Sequence, residues 1–372
     1  MTNIPSPCFV CEEELLEKNL LILERVQKES GAKILLALKG FALWSTFDMV
    51  KQYLQGCCAS GLNEAKLAYE EFAKEVHTYS PAYKDEEFNE ITKISNHIVF
   101  NSFAQWQKFK NKVTFNNSCG LRVNPEYSSV EVDLYNPCGA FSRLGIVRSE
   151  FKPELLDGIE GLHFHALCEQ NVDALEGVLD AFVEKFGEFI PKMRWVNFGG
   201  GHHITRKDYD VDRLIVVIKE FKATYPMVEV YLEPGEAVGW QTGYLEATVL
   251  DIVKNKIDIA ILDTSAEAHM PDTLAMPYRA MVRGSGTENE KKYNYRLAGN
   301  TCLAGDIIGD YSFDLPLAVG DRLIFEDMIH YTMVKTTFFN GVTHPNIGIW
   351  TSDKGFVILR QFGYTDYKDK LS

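Results

Sequence analysis

Several residues whose side chains could do chemistry follow directly after short apolar runs. Lys39 ends the run ILLALK, where partial desolvation would lower the pKa of the amine towards the range of a nucleophile. Glu233 ends the run VYLE, and a carboxylate there could hold a protonated ring nitrogen. Gly199, Gly200 and Gly201 offer consecutive amides without side chains, which suits a phosphate group. Each also has an ordinary interpretation, as an exposed lysine, an ion pair or a plain turn. Where each residue lies in the fold must decide between the functional and the ordinary interpretation.

Two histidines separated by one residue, His163 and His165, point to the same side of a predicted strand. Such a pair can bind a metal ion, so a metal-dependent barrel hydrolase is an alternative function. That alternative needs ligands on other strands, and Glu233 is one candidate. The sequence offers no second histidine cluster on the fourth or fifth strand, which counts against a metal site.

The elements that must position these residues alternate as in a parallel α/β fold. From about residue 12 to 240, apolar or β-branched runs alternate with segments of helical period, such as 13–29 and 173–186. The pattern predicts a (β/α)8 barrel of the TIM type, whose chemistry lies at the carboxyl ends of the strands, where Ser60 and Arg122 also stand. The predicted strands are 33–38, 54–59, 76–79, 97–100, 120–123, 161–164, 194–197 and 228–232.

After residue 240 the sequence changes to strand-like runs separated by Gly, Asp and Asn turns, which predicts a second, mostly antiparallel β domain. A short run at 8–10 could supply one more strand to it. We predict a barrel domain over 12–240 and a β domain over 1–11 and 241–372. The predicted strands of the β domain are 248–253, 258–262, 279–282, 322–325 and 356–359.

Composition and charge exclude several classes of protein. The 372 residues are 46% hydrophobic and 24% charged, as in globular rather than disordered or fibrous chains. The sequence has 38 Lys and Arg against 52 Asp and Glu, a net charge of −14, so we expect no nucleic-acid partner and favour a small polycation. No signal peptide or membrane-spanning run is found, which predicts a cytoplasmic protein. The eight cysteines lack the paired spacings of a zinc site, and we assign no metal ligands.

A series of motifs, in the same order along nearly the whole chain, resembles one enzyme family, the barrel-type pyridoxal-phosphate decarboxylases with the alanine racemase-like fold. These enzymes act on ornithine, arginine and diaminopimelate. The motifs are LALKG, CCASGLNEAKLA, LRVNP, SRLGI, HFHALCEQ, NFGGG, YLEPGE, AGNTCLAGDII and EDMIHYT. Within the family, EPGE, HMPD and GNTCLAGD are most similar to the branch that decarboxylates carboxynorspermidine and carboxyspermidine. The resemblance implies pyridoxal 5′-phosphate as cofactor and norspermidine or spermidine as product, in polyamine biosynthesis.

The resemblance also assigns roles to residues already found. Lys39 would carry the cofactor as a Schiff base, and decarboxylation would pass through a quinonoid intermediate. His165 would stack on the ring, Glu233 would pair with the pyridinium nitrogen, and Cys302 of a second subunit would return a proton to Cα. The implied active unit is a homodimer with shared sites. The cofactor-binding residues implied are Lys39, Ser60, His165, Gly199, Gly200, Gly201, Glu233 and Tyr331.

Departures from the family's pattern bear on substrate recognition. The family's phosphate-binding arginine is replaced by Glu236, which cannot favour a phosphate dianion and is expected to bind a substrate amine. Cys168 replaces a serine, and Leu303 replaces an acidic residue, so amine recognition has moved elsewhere. The expected substrate is a small, cationic, carboxylated polyamine, and its candidate ligands are Glu236, Asp263, Asp272, Asp306 and Arg122.

Two alternatives stay open for the substrate site. Asp263 and Asp272 are each either a substrate ligand or an ordinary loop acid or turn cap. Arg122 and Arg143 could bind a second carboxylate, so diaminopimelate or another basic amino acid is the alternative substrate.

Overall fold

The computed structural model describes residues 4–276 and 278–372, which form two compact units. One unit is Glu17–Val238, and the other is Met1–Leu16 with Gly239–Ser372. The domain boundaries at 12 and 240 stay a prediction. Among the described helices, none is both long and apolar enough to cross a membrane.

The strands are β1 Cys8–Glu12, β2 Lys33–Ala37, β3 Gly56–Ala59, β4 Glu75–Tyr79, β5 His97–Phe100, β6 Ser118–Arg122, β7 Gly161–His163, β8 Trp195–Asn197, β9 Glu229–Leu232, β10 Gly243–Asn255, β11 Ile257–Leu262, β12 Tyr293–Ala298, β13 Ile307–Phe313, β14 Arg322–Glu326, β15 Asn346–Thr351 and β16 Gly355–Arg360. The α-helices are α1 Glu13–Ser30, α2 Phe47–Tyr53, α3 Leu62–Leu67, α4 Asp85–Ile94, α5 Phe103–Phe109, α6 Val172–Phe186, α7 Val211–Thr224, α8 Glu236–Gly239, α9 Ala266–His269, α10 Asp272–Ala275, α11 Tyr331–Val334 and α12 Tyr364–Leu371.

Strands β2 to β9 close into a parallel barrel, in which each strand pairs with the next and β9 pairs with β2. The predicted (β/α)8 fold is confirmed, and each predicted barrel strand ends within one residue of an observed one. The apolar runs make this possible because they supply side chains to both faces of the strands, which the barrel interior and the outer helices cover. Leu20, Leu23 and Val26 on α1, for example, are fully buried.

Residues at alternate positions of each strand point into the barrel and build layers across it. On β2 these residues are Lys33, Leu35 and Ala37, at the amino end, the middle and the carboxyl end. Leu35 packs in the middle layer with Val99, Trp195 and Tyr231. Trp195 fits because its neighbour on β7 is a glycine: a Cβ at Gly161 would lie 2.1 Å from the indole ring.

The second unit contains an eight-stranded sheet in the order β13-β12-β11-β10-β1-β15-β16, with β14 also paired to β10. Most pairs are antiparallel, as predicted, and β1 lies between β10 (antiparallel) and β15 (parallel). The sequence prediction missed β12, β13 and β15. The predicted strand 279–282 is wrong: the segment is irregular and pairs only through an isolated bridge from Val282 to Phe325.

Polar side chains fill the amino end of the barrel. His77 and His97 stack with their ring centroids 3.8 Å apart and their planes at 14°. His77 Nε2 lies 3.2 Å from Glu75 Oε2, and Lys33 Nζ lies 3.7 Å from Glu75 Oε1. Burial alone would raise the pKa of Glu75, but His77 and Lys33 outweigh it and lower this pKa to about 2. Burial, with His77 adding to it, lowers the pKa of His97 to about 2, so His97 is neutral in the folded protein.

We predict that the free energy of unfolding falls as the pH drops below about 6.5, the pKa of an ordinary histidine. Below that pH the unfolded chain binds a proton at His97 that the folded chain does not bind, and one such proton costs about 1.4 kcal/mol per pH unit. Glu75, whose folded pKa is also lowered, adds a further loss as the pH falls below about 4.5.

Urea unfolding of the wild type and of His97→Phe between pH 5 and pH 8 measures this effect. The variant keeps a stacking ring without a titrating nitrogen, so its stability should depend less steeply on pH, by about one proton. The difference at pH 8, where an unfolded histidine is also neutral, reports packing alone. Equal pH slopes for the two proteins would contradict the assignment to His97.

Candidate active site

The carboxyl ends of the barrel strands surround a pocket of about 270 Å³. Side chains that are distant in the sequence meet here because parallel strands all end at the same edge of the barrel. Of the residues predicted from the sequence, Lys39, Ser60, Arg122, His165, Gly200 and Glu233 line this pocket. The lining also includes Cys58, Tyr79, Arg143, Leu144 and His163.

Lys39 follows β2 in a tight turn, where the amide of Gly40 donates to Ala37 O at 3.0 Å. Its side chain is open to the water of the pocket but is enclosed by protein at longer range. This enclosure lowers the pKa of the amine, and the positive charge of Arg122 adds to the effect against the opposing influence of Cys58 and Glu233. The Lys39 amine is therefore neutral, and able to act as a nucleophile, in a larger fraction of the molecules than a lysine amine in water would be.

Glu233 follows β9 and has both carboxylate oxygens engaged. Asn197 Nδ2 donates to its Oε1 at 2.7 Å, and His163 Nε2 lies 3.4 Å from its Oε2. Burial alone would raise the pKa of Glu233, but His163, His77 and Asn197 outweigh it and lower this pKa to about 2. Burial lowers the pKa of His163, against the opposing influence of Glu233. Glu233 is thus an ionised acceptor inside the barrel mouth.

The glycine loop 199–201 follows β8 and packs closely against the neighbouring strand ends. Gly199 and Gly201 have positive φ angles of 72° and 84°. A Cβ at Gly199 would lie 2.4 Å from Phe164 O, and one at Gly201 would lie 2.1 Å from Leu167 O. The Gly199 amide donates to Asn197 Oδ1 and the Gly200 amide to His165 Nδ1, both at 2.8 Å. The loop is therefore held in one conformation by its own neighbours.

His165 and Arg122 form one side of the pocket. Because His165 Nδ1 accepts the Gly200 amide, a neutral ring carries its proton on Nε2. Burial, with Lys39 and Arg122 adding to it, lowers the pKa of His165 well below its ordinary value. Arg122 is buried, donates to His165 O at 3.2 Å and lies 4.7 Å from the ring centroid of Tyr79. The ring at position 165 is thus neutral and fixed beside a buried cation.

The two histidines that suggested a metal site contact other groups: His163 lies beside Glu233, and His165 accepts the Gly200 amide. Two groups among the described residues have donor atoms close enough to hold a metal ion, and neither contains His163 or His165. The first is the stacked pair His77 and His97 with Glu75, whose ring lone pairs lie in nearly parallel planes and cannot converge on one ion. The second is Glu169, His203 and Glu236.

Glu236 begins α8 and lies 3.3 Å, through Oε2, from His203 Nε2. Its side chain is 15% exposed, and it does not belong to the lining of the 270 Å³ pocket as the described residues define it. The structure therefore brings Glu236 to a neighbouring histidine. Its assignment to a substrate amine stays a prediction.

In the second unit, Asp306 is 3% exposed and receives hydrogen bonds on both oxygens. Oδ1 accepts from the amides of Ala266 (2.7 Å) and Glu267 (3.3 Å). Oδ2 accepts from Ser265 Oγ (2.9 Å) and from the amide and hydroxyl of Thr301 (3.1 and 2.6 Å). This arrangement ties α9 to the turn before Cys302 and does not favour contact between Asp306 and a substrate amine.

The other two acids predicted to bind substrate also have partners in this unit. Lys335 Nζ donates to Asp272 Oδ1 at 2.7 Å, and the Thr248 amide donates to Asp263 Oδ1 at 2.7 Å. Asp272 is thus already placed against an amine, that of Lys335. Asp263 follows β11, and its side chain and amide both bond to Thr248 on the paired strand β10.

Cys302 is an exposed free cysteine, and its backbone amide donates to Asn340 Oδ1 at 2.8 Å. Tyr331 begins α11, one turn before Lys335. An exposed thiol on an anchored turn is available for contact with another molecule.

Asn197, the last residue of β8, was missed by the sequence analysis. It is fully buried and contacts both Glu233 and the glycine loop. A signal was present: two residues after Trp195, it shares the inward face of a barrel strand, and a buried polar residue at a strand end needs a partner.

The sequence profile of the ornithine, diaminopimelate and arginine decarboxylases, described as "Pyridoxal-dependent decarboxylase, C-terminal sheet domain", matches residues 8–329. This match, with the relatives below, does not support the alternative of a metal-dependent hydrolase.

Two full-length relatives and one crystal structure narrow the family. The carboxynorspermidine/carboxyspermidine decarboxylase of Campylobacter jejuni is 54% identical over 98% of this chain and 98% of its own. The carboxyaminopropylagmatine decarboxylase of Synechocystis is 49% identical over 100% of this chain and 96% of its own. The crystal structure of the C. jejuni carboxynorspermidine decarboxylase complexed with norspermidine has a TM-score of 0.93 and 52% identity, covering 99% of this chain and 100% of that one. The chain therefore belongs to the pyridoxal-dependent decarboxylases of the ornithine, diaminopimelate and arginine type, and is a carboxy-lyase of their carboxynorspermidine/carboxyspermidine branch.

Proposed function

We propose that the chain decarboxylates carboxynorspermidine and carboxyspermidine, with pyridoxal 5′-phosphate as its cofactor, and so completes a triamine in polyamine biosynthesis. The observation that carries the proposal is the barrel pocket, which brings Lys39, His165, Gly200 and Glu233 together. The 54% identity to the C. jejuni enzyme over 98% of the chain supports the substrate class.

The donor set of the pocket fits this cofactor. An aldehyde needs an amine, which Lys39 supplies; a protonated pyridine nitrogen needs an anionic acceptor, which Glu233 supplies. The loop 199–201 carries no Cβ atoms, so its backbone can approach a phosphate closely. When bound, the cofactor supplies an electron sink for the negative charge that the departing carboxylate leaves on Cα.

The chain's own residues have separate tasks in that site. The lowered pKa of Lys39 favours the neutral amine that can hold the cofactor's aldehyde. Glu233 stays ionised at neutral pH, because its pKa is lowered to about 2, and so holds a proton on the ring nitrogen. The fixed, neutral ring of His165 supplies a flat face for stacking. The amides of Gly199 and Gly200 already donate to Asn197 and His165, so Ser60 and the amide of Gly201 are our candidates for the phosphate end. A role for Tyr331 stays a prediction from the sequence.

The substrate amines need acids outside this pocket. We keep Glu236, Asp263 and Asp272 as candidates. Asp272 Oδ1 already accepts from Lys335 Nζ at 2.7 Å, so a substrate amine at Asp272 would have to replace that contact. Asp306 fits the role least, since both of its oxygens serve backbone and hydroxyl donors of its own unit. Arg122 faces the cofactor pocket, and we place it nearer the substrate carboxylate than the cationic tail. The net charge of −14 favours a cationic substrate in general.

We infer a cytoplasmic homodimer in which Cys302 of one copy reaches the barrel pocket of the other. A thiol can return a proton to Cα after carbon dioxide has left, as a general acid. The exposure of Cys302 and the anchoring of its backbone by Asn340 support this role.

A second substrate, carboxyaminopropylagmatine, is favoured by one specific observation. The Synechocystis decarboxylase named for that compound is 49% identical over 100% of this chain. That compound ends in a guanidinium, which prefers a bidentate carboxylate, where a spermidine-type substrate ends in a primary ammonium.

The first prediction for this function concerns Lys39. Lys39→Ala should lose the visible absorption band of cofactor bound to a lysine and should keep less than about one thousandth of the decarboxylase rate. Lys33→Ala, which removes a lysine from the other end of the same strand, is the matched control and should keep both. A colourless wild type after reconstitution with pyridoxal phosphate would refute the cofactor proposal.

The second prediction concerns the proton donor. Cys302→Ala should lower kcat by about 10²- to 10⁴-fold, the usual contribution of a general acid, while cofactor absorption stays unchanged. Cys119→Ala, at a buried cysteine of β6, should leave kcat unchanged. Mixing Cys302→Ala with Lys39→Ala should restore part of the activity if sites are shared between copies, because some hybrid dimers then have one intact site. If Cys302→Ala keeps the wild-type kcat, Cys302 is not the proton donor.

The third prediction concerns the substrate. Carbon dioxide release should be fastest from carboxynorspermidine or carboxyspermidine, whose difference of one methylene is worth about 10- to 200-fold in kcat/KM at most. Carboxyaminopropylagmatine, diaminopimelate, ornithine and arginine are assayed in parallel. If kcat/KM is higher for carboxyaminopropylagmatine, that compound is the substrate instead. If it is higher for diaminopimelate, the alternative substrate named from the sequence is correct.

A further inference from the structure

Asn197 connects the two ends of the proposed cofactor site. Its Nδ2 donates to Glu233 Oε1 at 2.7 Å, and its Oδ1 accepts the amide of Gly199 at 2.8 Å. One fully buried side chain therefore bonds both to the carboxylate assigned to the ring nitrogen and to the first residue of the loop assigned to the phosphate. The two bonds also fix which amide atom is oxygen and which is nitrogen, since a flipped amide would satisfy neither partner.

The backbone of Asn197 leaves its side chain little freedom. The residue pairs with His163 on β7 and with Tyr231 on β9, so it lies in the interior of the barrel sheet. Its carbonyl accepts the amide of Phe164 at 3.0 Å. A short side chain on a backbone fixed from both sides places its two polar atoms at constant positions.

Two further contacts extend this link across the site. The Glu233 amide donates to Gly199 O at 2.8 Å, and the Gly200 amide donates to His165 Nδ1 at 2.8 Å. A Cβ at Gly200 would lie 2.3 Å from Glu233 O. The carboxylate, the stacking ring and the glycine loop are thus one hydrogen-bonded assembly, and Asn197 is the side chain that bonds to two of its parts.

We infer that Asn197 is a positioning residue that sets the separation between the ring-nitrogen acceptor and the phosphate loop. The inference rests on the proposed cofactor, but Asn197 itself touches no reacting atom. A rigid ligand with a cation at one end and a dianion at the other binds best to groups already spaced to match it, because no ordering cost is then paid on binding. Without Asn197, Glu233 loses a charge-assisted hydrogen bond and Gly199 loses its acceptor.

The experiment measures binding of pyridoxal phosphate and of pyridoxal, which lacks the phosphate, to the apoenzyme of four proteins. These are the wild type, Asn197→Leu, Asn197→Asp and Asn117→Leu. Asn117 is the matched control, because its side chain also makes two hydrogen bonds: Nδ2 donates to Ser95 O, and Oδ1 accepts from the Thr114 amide. Asn117 precedes β6 and so lies at the other end of the barrel. Thermal unfolding of each apoenzyme reports the effect on the fold separately.

Asn197→Leu should weaken pyridoxal phosphate binding by about 10- to 100-fold, and pyridoxal binding by a smaller factor, because both ends lose their alignment. Asn197→Asp keeps an acceptor for Gly199 and places a second carboxylate beside Glu233. The ratio of the dissociation constants for pyridoxal and pyridoxal phosphate should therefore stay as in the wild type. The absorption of the bound cofactor should change at a different pH. Asn117→Leu should bind both ligands as the wild type does.

Other outcomes would overturn the inference. Wild-type affinity in Asn197→Leu, or a loss no larger than in Asn117→Leu, would show that the spacing does not depend on Asn197. An equal loss for both ligands would mean that Asn197 acts on the ring end alone. Failure of the wild type to bind pyridoxal phosphate at all would instead refute the proposed function, so the two failures can be told apart.

Discussion

The ionised carboxylate of Glu233 inside the barrel mouth is the feature on which the rest of the site depends. Moving a charge from water into a protein interior costs several kcal/mol unless nearby groups replace the lost hydration. Here His163 and Asn197 supply that replacement, and they come from β7 and β8, the two strands that precede β9. The barrel order therefore creates the site, because only consecutive parallel strands bring these three ends together.

The same principle operates at the opposite end of the barrel. Glu75 stays ionised there because Lys33 and His77 lie beside it, and the imidazole of His97 stays neutral under its stacked neighbour. An apolar layer that includes Leu35 and Val99 lies at the middle positions of the strands, between these two polar ends. The barrel interior thus has a charged end for stability and a charged end for chemistry. Substitutions at Lys33, which begins β2, and at Lys39, which follows β2, are therefore expected to differ in effect.

The barrel strands could be predicted from the sequence, because most of them are short apolar or β-branched runs between segments of helical period. The placement of Lys39, His165 and Glu233 in one pocket followed from the rule that parallel strands end together. The β unit was predicted less well, since β12 and β15 carry mixed polar and apolar residues. One partner of β15 is β1, which lies more than 330 residues earlier in the sequence. The run at 279–282 has strand-like residues but meets a partner only at Val282.

The side-chain partners were the least predictable part. Asp306 looked like an acid of the substrate site, and only the structure reveals that its oxygens serve five donors from residues 265–267 and 301. The inward position of Asn197 could be predicted from its spacing to Trp195, but its partner could not, because a hydrogen bond between residues 36 positions apart leaves no local pattern. Spacing along the chain predicts which face a residue occupies, but hydrogen-bond partners depend on the full three-dimensional arrangement.

The central place of β1 in the second sheet has a consequence for how the chain is made. Residues 8–12 leave the ribosome before the barrel does, yet both of their pairing partners, β10 and β15, are synthesised more than 220 residues later. All barrel residues lie between β1 and β10 and are synthesised before either partner of β1. The barrel can therefore fold before β1 has a strand to pair with. Closure of the β sheet around β1 is therefore expected to be a late event of biosynthesis, and the exposed edges of β1 must be protected until then.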